Sequence, residues 1–252
     1  MTKFVILTLP RTGSTLLSKS LNNHPEIFCD DEIFHFSFRK HLSLNQFHFL
    51  KIRFLSKKVN YIINYPFIYL RLNRFLNKYF ANKRSEKFKA RGFKLMYYQT
   101  LYTPGLIDYL NRNNIKVILL LRKNIFRNAL SDMRARKTGI YRHRKEDEKL
   151  LSGLPKLNVD VAVLRNKMNH IIHQSKKMER IAKNMTCMKI WYEDFSDWSN
   201  TMNKIFDFLG VSQYDVSAGV KKLNPDRAEN MIANFNEVKN WLQQNNYAEF
   251  LN

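Results

Sequence analysis

Pro10-Arg11-Thr12-Gly13-Ser14-Thr15 interrupts an apolar run (Phe4, Val5, Ile6, Leu7, Leu9) and gives way to a helical pattern. A strand, a tight polar loop and a helix in that order form a cradle for an oxyanion. The first N–H groups of a helix lack intrahelical partners and lie at the positive end of its dipole, so an anionic group is stabilised there. Gly13 lets backbone approach a ligand closely, Ser14 and Thr15 offer hydroxyl donors, and Arg11 adds a fixed cation. A Walker loop would read G-x-x-x-x-G-K-[ST], whereas no glycine precedes Gly13 and no lysine follows it in the loop. This counts against an ordinary nucleoside triphosphatase.

A second anion site is expected at Arg122. It follows the unbroken apolar run Ile115 to Leu121, a pattern expected of a strand buried on both faces, and precedes a helical pattern from Ile125 to Lys137. Ser131, about two turns into that helix, can face the same crevice as Arg122. Two neighbouring anion sites suit a ligand phosphorylated at both ends. Asp30, Asp31 and Glu32 form an acidic trio with His35 close behind. Crowded carboxylates raise one another's pKa, which would move one of them toward the range of a general base. Lys94 lies inside a strand-like run, Phe93 to Tyr98, so its charge needs a partner or a cleft there. Lys221, Lys222 and Arg227 are later candidates for holding a phosphate.

The elements that must position these residues are read as strands at about 3–9, 92–98, 115–121 and 186–191, separated by helical patterns. Such alternation makes right-handed β-α-β crossovers and an α/β fold with a parallel sheet. The 252 residues suit one domain, and no Gly/Ser/Pro-rich linker divides them. Two insertions interrupt the pattern. From Arg39 to Lys94 about fifteen Lys or Arg stand against one acid, interleaved with apolar residues at helical spacing. This basic insertion, about 39–90, reads as a helical cap over the acceptor site or as a helical subdomain whose stripe is core. Thr138 to Asp160, with Gly139, Gly153 and Pro155, reads as a mobile loop bordering the crevice.

The ordered set Pro10 to Leu17, His24-Pro25-Glu26-Ile27, Glu32-Ile33-Phe34, Gly92-Phe93-Lys94-Leu95, Leu121-Arg122 through Ser131, and Tyr192-Glu193-Asp194 resembles one family. It is similar to the sulfotransferases that use 3′-phosphoadenosine-5′-phosphosulfate, especially their bacterial and marine carbohydrate-type branch. Asn224-Pro225, Ile232-Ala233-Asn234 and Glu237 also look like that branch. The resemblance implies a P-loop-like three-layer fold, a central parallel sheet with helices on both faces. It implies a 5′-phosphosulfate loop at Arg11, Thr12, Gly13, Ser14 and Thr15, with Arg11 standing where many relatives place lysine. It further implies a 3′-phosphate clamp at Arg122 and Ser131 and an adenine contact at Tyr192. Sulfuryl transfer needs a base at the acceptor hydroxyl and positive charge at the leaving phosphate. Arg11 and the loop amides fit the second role. Glu32 matches the base of the carbohydrate-type branch, and His35 is the fallback, since histidine titrates near neutrality.

The formal net charge of +22, from 43 Lys and Arg against 21 Asp and Glu, attracts polyanions and anionic surfaces. The excess is spread along the chain and no zinc-finger, RRM or basic-zipper pattern accompanies it, which argues against a nucleic-acid partner. It favours an anionic donor and an anionic carbohydrate or glycolipid acceptor, and leaves peripheral membrane contact open. Cys29 and Cys187 alone cannot make a disulfide framework or a multi-cysteine zinc site, and no metal is expected. No secretory h-region opens the chain and no run reaches the roughly 18 apolar residues of a membrane span, so cytoplasmic residence is expected. The rival functions are a P-loop-like kinase and a non-catalytic polyanion- or nucleic-acid-binding module on the same fold.

Overall fold

A computed structural model of the chain describes residues 1–34, 57–81, 87–141, 155–217 and 227–251. Strands β1 (Thr2–Thr8), β2 (Ile27–Asp30), β3 (Ala90–Met96), β4 (Lys116–Leu121) and β5 (Cys187–Trp191) form one sheet in the order β2-β3-β1-β4-β5. Every neighbouring pair is parallel. Side chains alternate across each strand, and this alternation divides the core in two. Val5, Leu7, Phe93, Leu95, Val117 and Leu119 belong to one cluster, and Phe4, Ile6, Ile118 and Leu120 to the other. The first face is covered by α2 (Lys57–Phe80), α4 (Leu106–Arg112), α5 (Ile125–Thr138), α6 (Val161–Ala182) and α8 (Phe235–Gln244). The second is covered by α1 (Ser14–Leu21) and α7 (Trp198–Leu209). The result is the three-layer α/β arrangement expected of this chain.

The topology places a crevice where ligands bind in such sheets. The chain leaves β1 toward α1 on one face and leaves the adjacent β4 toward α5 on the other, so a gap opens at their carboxyl ends. The strands read from sequence at 3–9, 92–98, 115–121 and 186–191 appear as β1, β3, β4 and β5. The sequence reading lacks β2, whose four residues are too few to show a period. It also runs β3 two residues too far, because the chain turns into the short helix α3 (Tyr97–Tyr102). There the Gln99 side chain accepts the Met96 backbone N–H at 3.0 Å and ends the strand.

Both insertions are described in part, and in the basic one the second of the two expected readings, a helix whose stripe is core, is met. In α2 the stripe Leu72, Leu76 and Phe80 is buried in the first core cluster, and the Tyr109 hydroxyl donates to Asn77 at 2.8 Å. That half of the basic insertion is core rather than a cap, as the i, i+4, i+8 spacing of three large apolar residues requires; residues 35–56 lie outside the described residues. In the stretch 138–160, Leu157 and Val159 are buried, with Leu157 bridged to Ile232 and Val159 held by Asn234. The tail supplies the backbone partners of these residues. The stretch 142–154 lies outside the described residues.

Candidate active site

The carboxyl ends of all five strands contribute to one edge of the sheet. After β1, Arg11 adopts φ 66° and Gly13 φ 85°. A left-handed conformation costs a side-chain-bearing residue about 1–2 kcal/mol, and strain of this kind gathers at binding sites. Here the surroundings hold it: Arg122 Nη1 donates to the Arg11 carbonyl at 3.2 Å. Arg11 Nε donates to Ser131 Oγ at 2.9 Å and Arg11 Nη1 to the Tyr141 carbonyl at 2.5 Å. Arg122 and Ser131, read from sequence as neighbours across a crevice, are thus brought together through Arg11.

Gly13 is the N-cap of α1 and no side chain caps that helix. Its first-turn N–H groups remain available to an anion. The N-terminus of α5 is closed by contrast. The Glu193 carboxylate accepts the Lys123 N–H at 2.9 Å and the Asn124 N–H at 3.1 Å, and Asn124 Oδ1 accepts the Arg127 N–H at 2.9 Å. Of the two helix ends at the crevice, α1 is therefore the one open to an oxyanion. The Thr12 hydroxyl is spent within the loop, on the Leu9 carbonyl at 2.9 Å and on Thr8 Oγ1, and the residue is buried. Ser14 is buried in the first turn, and Thr15 Oγ1 receives Lys94 Nζ at 3.4 Å.

Tyr192, at the end of β5, ties loop and clamp together. Its ring lies 4.5 Å from the Arg122 guanidinium carbon, and a Cβ on Gly13 would fall 2.5 Å from its Cδ2. Glu193 Oε1 is 3.9 Å from Arg122 Nε, a buried atom with no hydrogen-bond partner. Burial, first of all, lowers the pKa of both Arg11 and Arg122; Asp132, Tyr141 and Tyr192 partly offset it at Arg11, and at Arg122 Tyr192 and Glu193 offset it while Arg127 and Arg11 add to it. An arginine stays charged regardless, so the two form a partly desolvated cationic pair suited to a phosphate. Gly13→Ala should cost about 1–3 kcal/mol, from the left-handed backbone and the Tyr192 overlap. Thermal melting reads this as a fall of roughly 2–4 °C per kcal/mol; an unchanged midpoint would mean that the ring yields freely.

A second cluster lies on the far side of the loop, at the ends of β2 and β3. Lys94 is 1 % exposed in the interior strand β3, and its Nζ contacts Asp31 Oδ1, Glu32 Oε1 at 3.3 Å and Thr15. The partner that a buried lysine needs is thus present. Glu32 Oε2 accepts from Gln99 Nε2 at 2.9 Å and from the Tyr98 hydroxyl at 3.2 Å. A carboxylate offers about four lone-pair sites; three donors leave one for a further hydroxyl. Burial and then the Glu32 charge push the Tyr98 phenol up, which keeps it a donor. The trio does not simply crowd, since Lys94 stands against Asp31 and Glu32; its upward-shifted acid is Asp30, moved chiefly by burial.

Several expectations shift accordingly. Arg11, expected as the cation of the loop, adopts a left-handed backbone and donates from Nε to Ser131 Oγ in α5. The cation beside Glu32 is Lys94. Tyr98 and Gln99 escaped the sequence reading because they sit in a helix where it continues a strand. His35, Lys221, Lys222, Asn224 and Pro225 lie outside the described residues, and Arg227 is exposed and paired with Glu229 at 3.4 Å. His24 is structural: it is buried, its Nε2 meets the Ser212 carbonyl at 2.8 Å, and its Nδ1 accepts the Glu26 N–H.

A parallel sheet with an uncapped helix behind its first strand, and a cationic clamp behind the adjacent one, defines an α/β protein of the P-loop-like class. A family model described as "Sulfotransferase family" matches residues 4–215, and the chain belongs to that family. No curated protein matches the sequence. Among solved structures, a sulfotransferase from Alicyclobacillus acidocaldarius is 18% identical, with 96% of each chain covered and a TM-score of 0.48. The sulfotransferase domain from the curacin biosynthetic pathway is 17% identical over 95% of this chain and 90% of its own, with a TM-score of 0.51. Mouse sulfotransferase SULT7A1, complexed with PAP, is 15% identical over 85% of this chain and 60% of its own, with a TM-score of 0.45.

Proposed function

We propose that this sulfotransferase uses 3′-phosphoadenosine-5′-phosphosulfate as donor and sulfates a hydroxyl on a carbohydrate or glycolipid acceptor, as in the bacterial and marine carbohydrate-type branch. The observation that carries the reading is Lys94, a buried cation that contacts both Thr15 of the loop and Glu32. One side chain thereby joins an anion cradle to a carboxylate with a free acceptor site. The residues fit the donor: the open N-terminus of α1 suits a 5′-phosphosulfate, the orphaned Nε of Arg122 suits the 3′-phosphate, and the half-buried Tyr192 beside them suits the adenine.

The donor, when bound, supplies an activated sulfuryl group on a good leaving phosphate. The loop N–H groups and Lys94 stabilise the charge that grows on that phosphate. Glu32 takes the proton of the acceptor hydroxyl, while Tyr98 and Gln99 hold the carboxylate in place. The basic surface draws in an acceptor that is itself anionic. The product 3′,5′-bisphosphoadenosine (PAP) is expected to raise the melting temperature without added metal, since a ligand that binds only the folded state stabilises it by mass action. ATP, which has no 3′-phosphate, should do much less. Equal shifts from the two nucleotides would sink the donor assignment and favour a kinase. An acceptor array then identifies the hydroxyl.

A further inference from the structure

The outward face of α6 carries a continuous stripe of cations. Arg165, His173, Lys176, Arg180 and the C-cap Lys183 are all exposed and follow the i, i+8, i+11, i+15, i+18 spacing of one helical face, with exposed Lys177 beside them. At 1.5 Å per residue the stripe runs about 27 Å. Glu179 is the one acid within α6, and its carboxylate is held by Lys189 Nζ at 3.3 Å. Among the described residues no acid pairs with the Lys and Arg side chains of the stripe. Like charges three and four residues apart repel and weaken a helix, so α6 is held by its other side, where Leu164, Met168, Ile171 and Met178 are buried in the core. A polyanion laid along the exposed face would remove that repulsion.

The stripe has a defined place beside the crevice. Lys167, on the inner side of α6, pairs at 2.5 Å with Asp132, the residue after Ser131 in α5. At its other end α6 leads into the start of β5, at the edge of the parallel sheet opposite the crevice. The stripe therefore begins near the clamp helix and leads away from the crevice along the flank of the molecule. Its composition suits a linear saccharide chain. Asn169 and the His173 imidazole set further polar groups between the cations, as a chain that alternates hydroxyls with acidic groups requires. The one large apolar side chain exposed on α6, Val163, precedes the stripe, so nothing within it can insert into a lipid surface. It also carries no aromatic ring on which bases could stack.

We propose that this face of α6 is an exosite for a linear sulfated or carboxylated polysaccharide, which holds the body of the acceptor outside the crevice while one hydroxyl enters it. The inference rests on the acceptor reading above and deepens it, from a carbohydrate or glycolipid to an anionic polysaccharide chain.

The test compares two variants of equal net charge in the full chain. One carries Lys176→Gln, Arg180→Gln and Lys183→Gln; the other carries Lys19→Gln, Lys204→Gln and Lys239→Gln, three exposed cations away from the stripe. Substitutions at exposed positions of this kind leave the fold intact. Heparin is titrated into the unaltered protein and both variants over a range of salt. The stripe variant should bind it about tenfold or more weakly, with a salt slope smaller by roughly two to three, while the charge-matched variant stays within about twofold. Equal losses in the two variants, or none in the stripe variant, overturn the proposal, since net charge alone would then account for the binding. Duplex DNA and phosphatidylserine vesicles are titrated at matched salt. Tighter binding of either than of heparin, lost in the stripe variant, gives the face to that partner and overturns the polysaccharide. The melting shift produced by PAP should be the same in all three proteins. Failure of PAP to bind the unaltered protein removes the donor reading, whereas the heparin titration, run without nucleotide, still decides α6.

Discussion

Glu32→Gln should lower turnover by roughly 10²- to 10⁴-fold, the usual contribution of a positioned general base, with donor affinity nearly intact. The amide keeps the shape of the carboxylate and loses its proton affinity. The fold has reason to tolerate the change. Lys94 retains Asp31 and Thr15 as partners, and Gln99 and Tyr98 can still meet an amide oxygen. Donor binding has reason to persist too, since Glu32 contacts neither Arg11, Arg122 nor Ser131. Steady-state rates with an identified acceptor, beside a PAP titration, separate the two effects. Normal turnover in Glu32→Gln together with a dead His35→Ala would transfer the role to His35.

Arg122→Ala should weaken PAP binding by about 1.5–3 kcal/mol, the range for hydrogen bonds to a charged group, or roughly ten- to hundredfold. The guanidinium lies under Tyr192, reaches the Arg11 carbonyl and keeps one buried N–H unpaired. Its removal would delete the proposed phosphate ligand and also the hydrogen bond to the Arg11 carbonyl in the left-handed turn. The loss should be large for PAP and small for a nucleotide without a 3′-phosphate. Glu193 bounds the structural part of the effect, because its carboxylate remains bound to the α5 backbone without Arg122. Titration calorimetry decides it: an unchanged PAP affinity would place the 3′-phosphate elsewhere.

The sequence by itself determined four of the five strands and the polar loops that follow β1 and β4. Long apolar runs such as Ile115 to Leu121 have no stable place except a strand buried on both faces, and the polar loops after them must lie at the sheet edge. Arg11 to Thr15, Arg122, Ser131 and Tyr192 are legible for that reason, since each follows a strand directly or sits within two turns of one. Glu32 is legible instead from the acidic trio and the family resemblance.

What only the tertiary structure decided is which of these groups meet. Lys94 is one charge in a run of many, and its place against Thr15, Asp31 and Glu32 depends on β3 lying between β2 and β1, a strand order that local pattern does not encode. Arg11 meets Ser131 of α5 from a left-handed backbone that a non-glycine residue does not advertise. Tyr98 and Gln99 reach Glu32 because the strand ends two residues before its apolar pattern does. Glu193 closes one helix end through a contact between elements distant in sequence, and such a contact is a property of the packed chain, not of the residue.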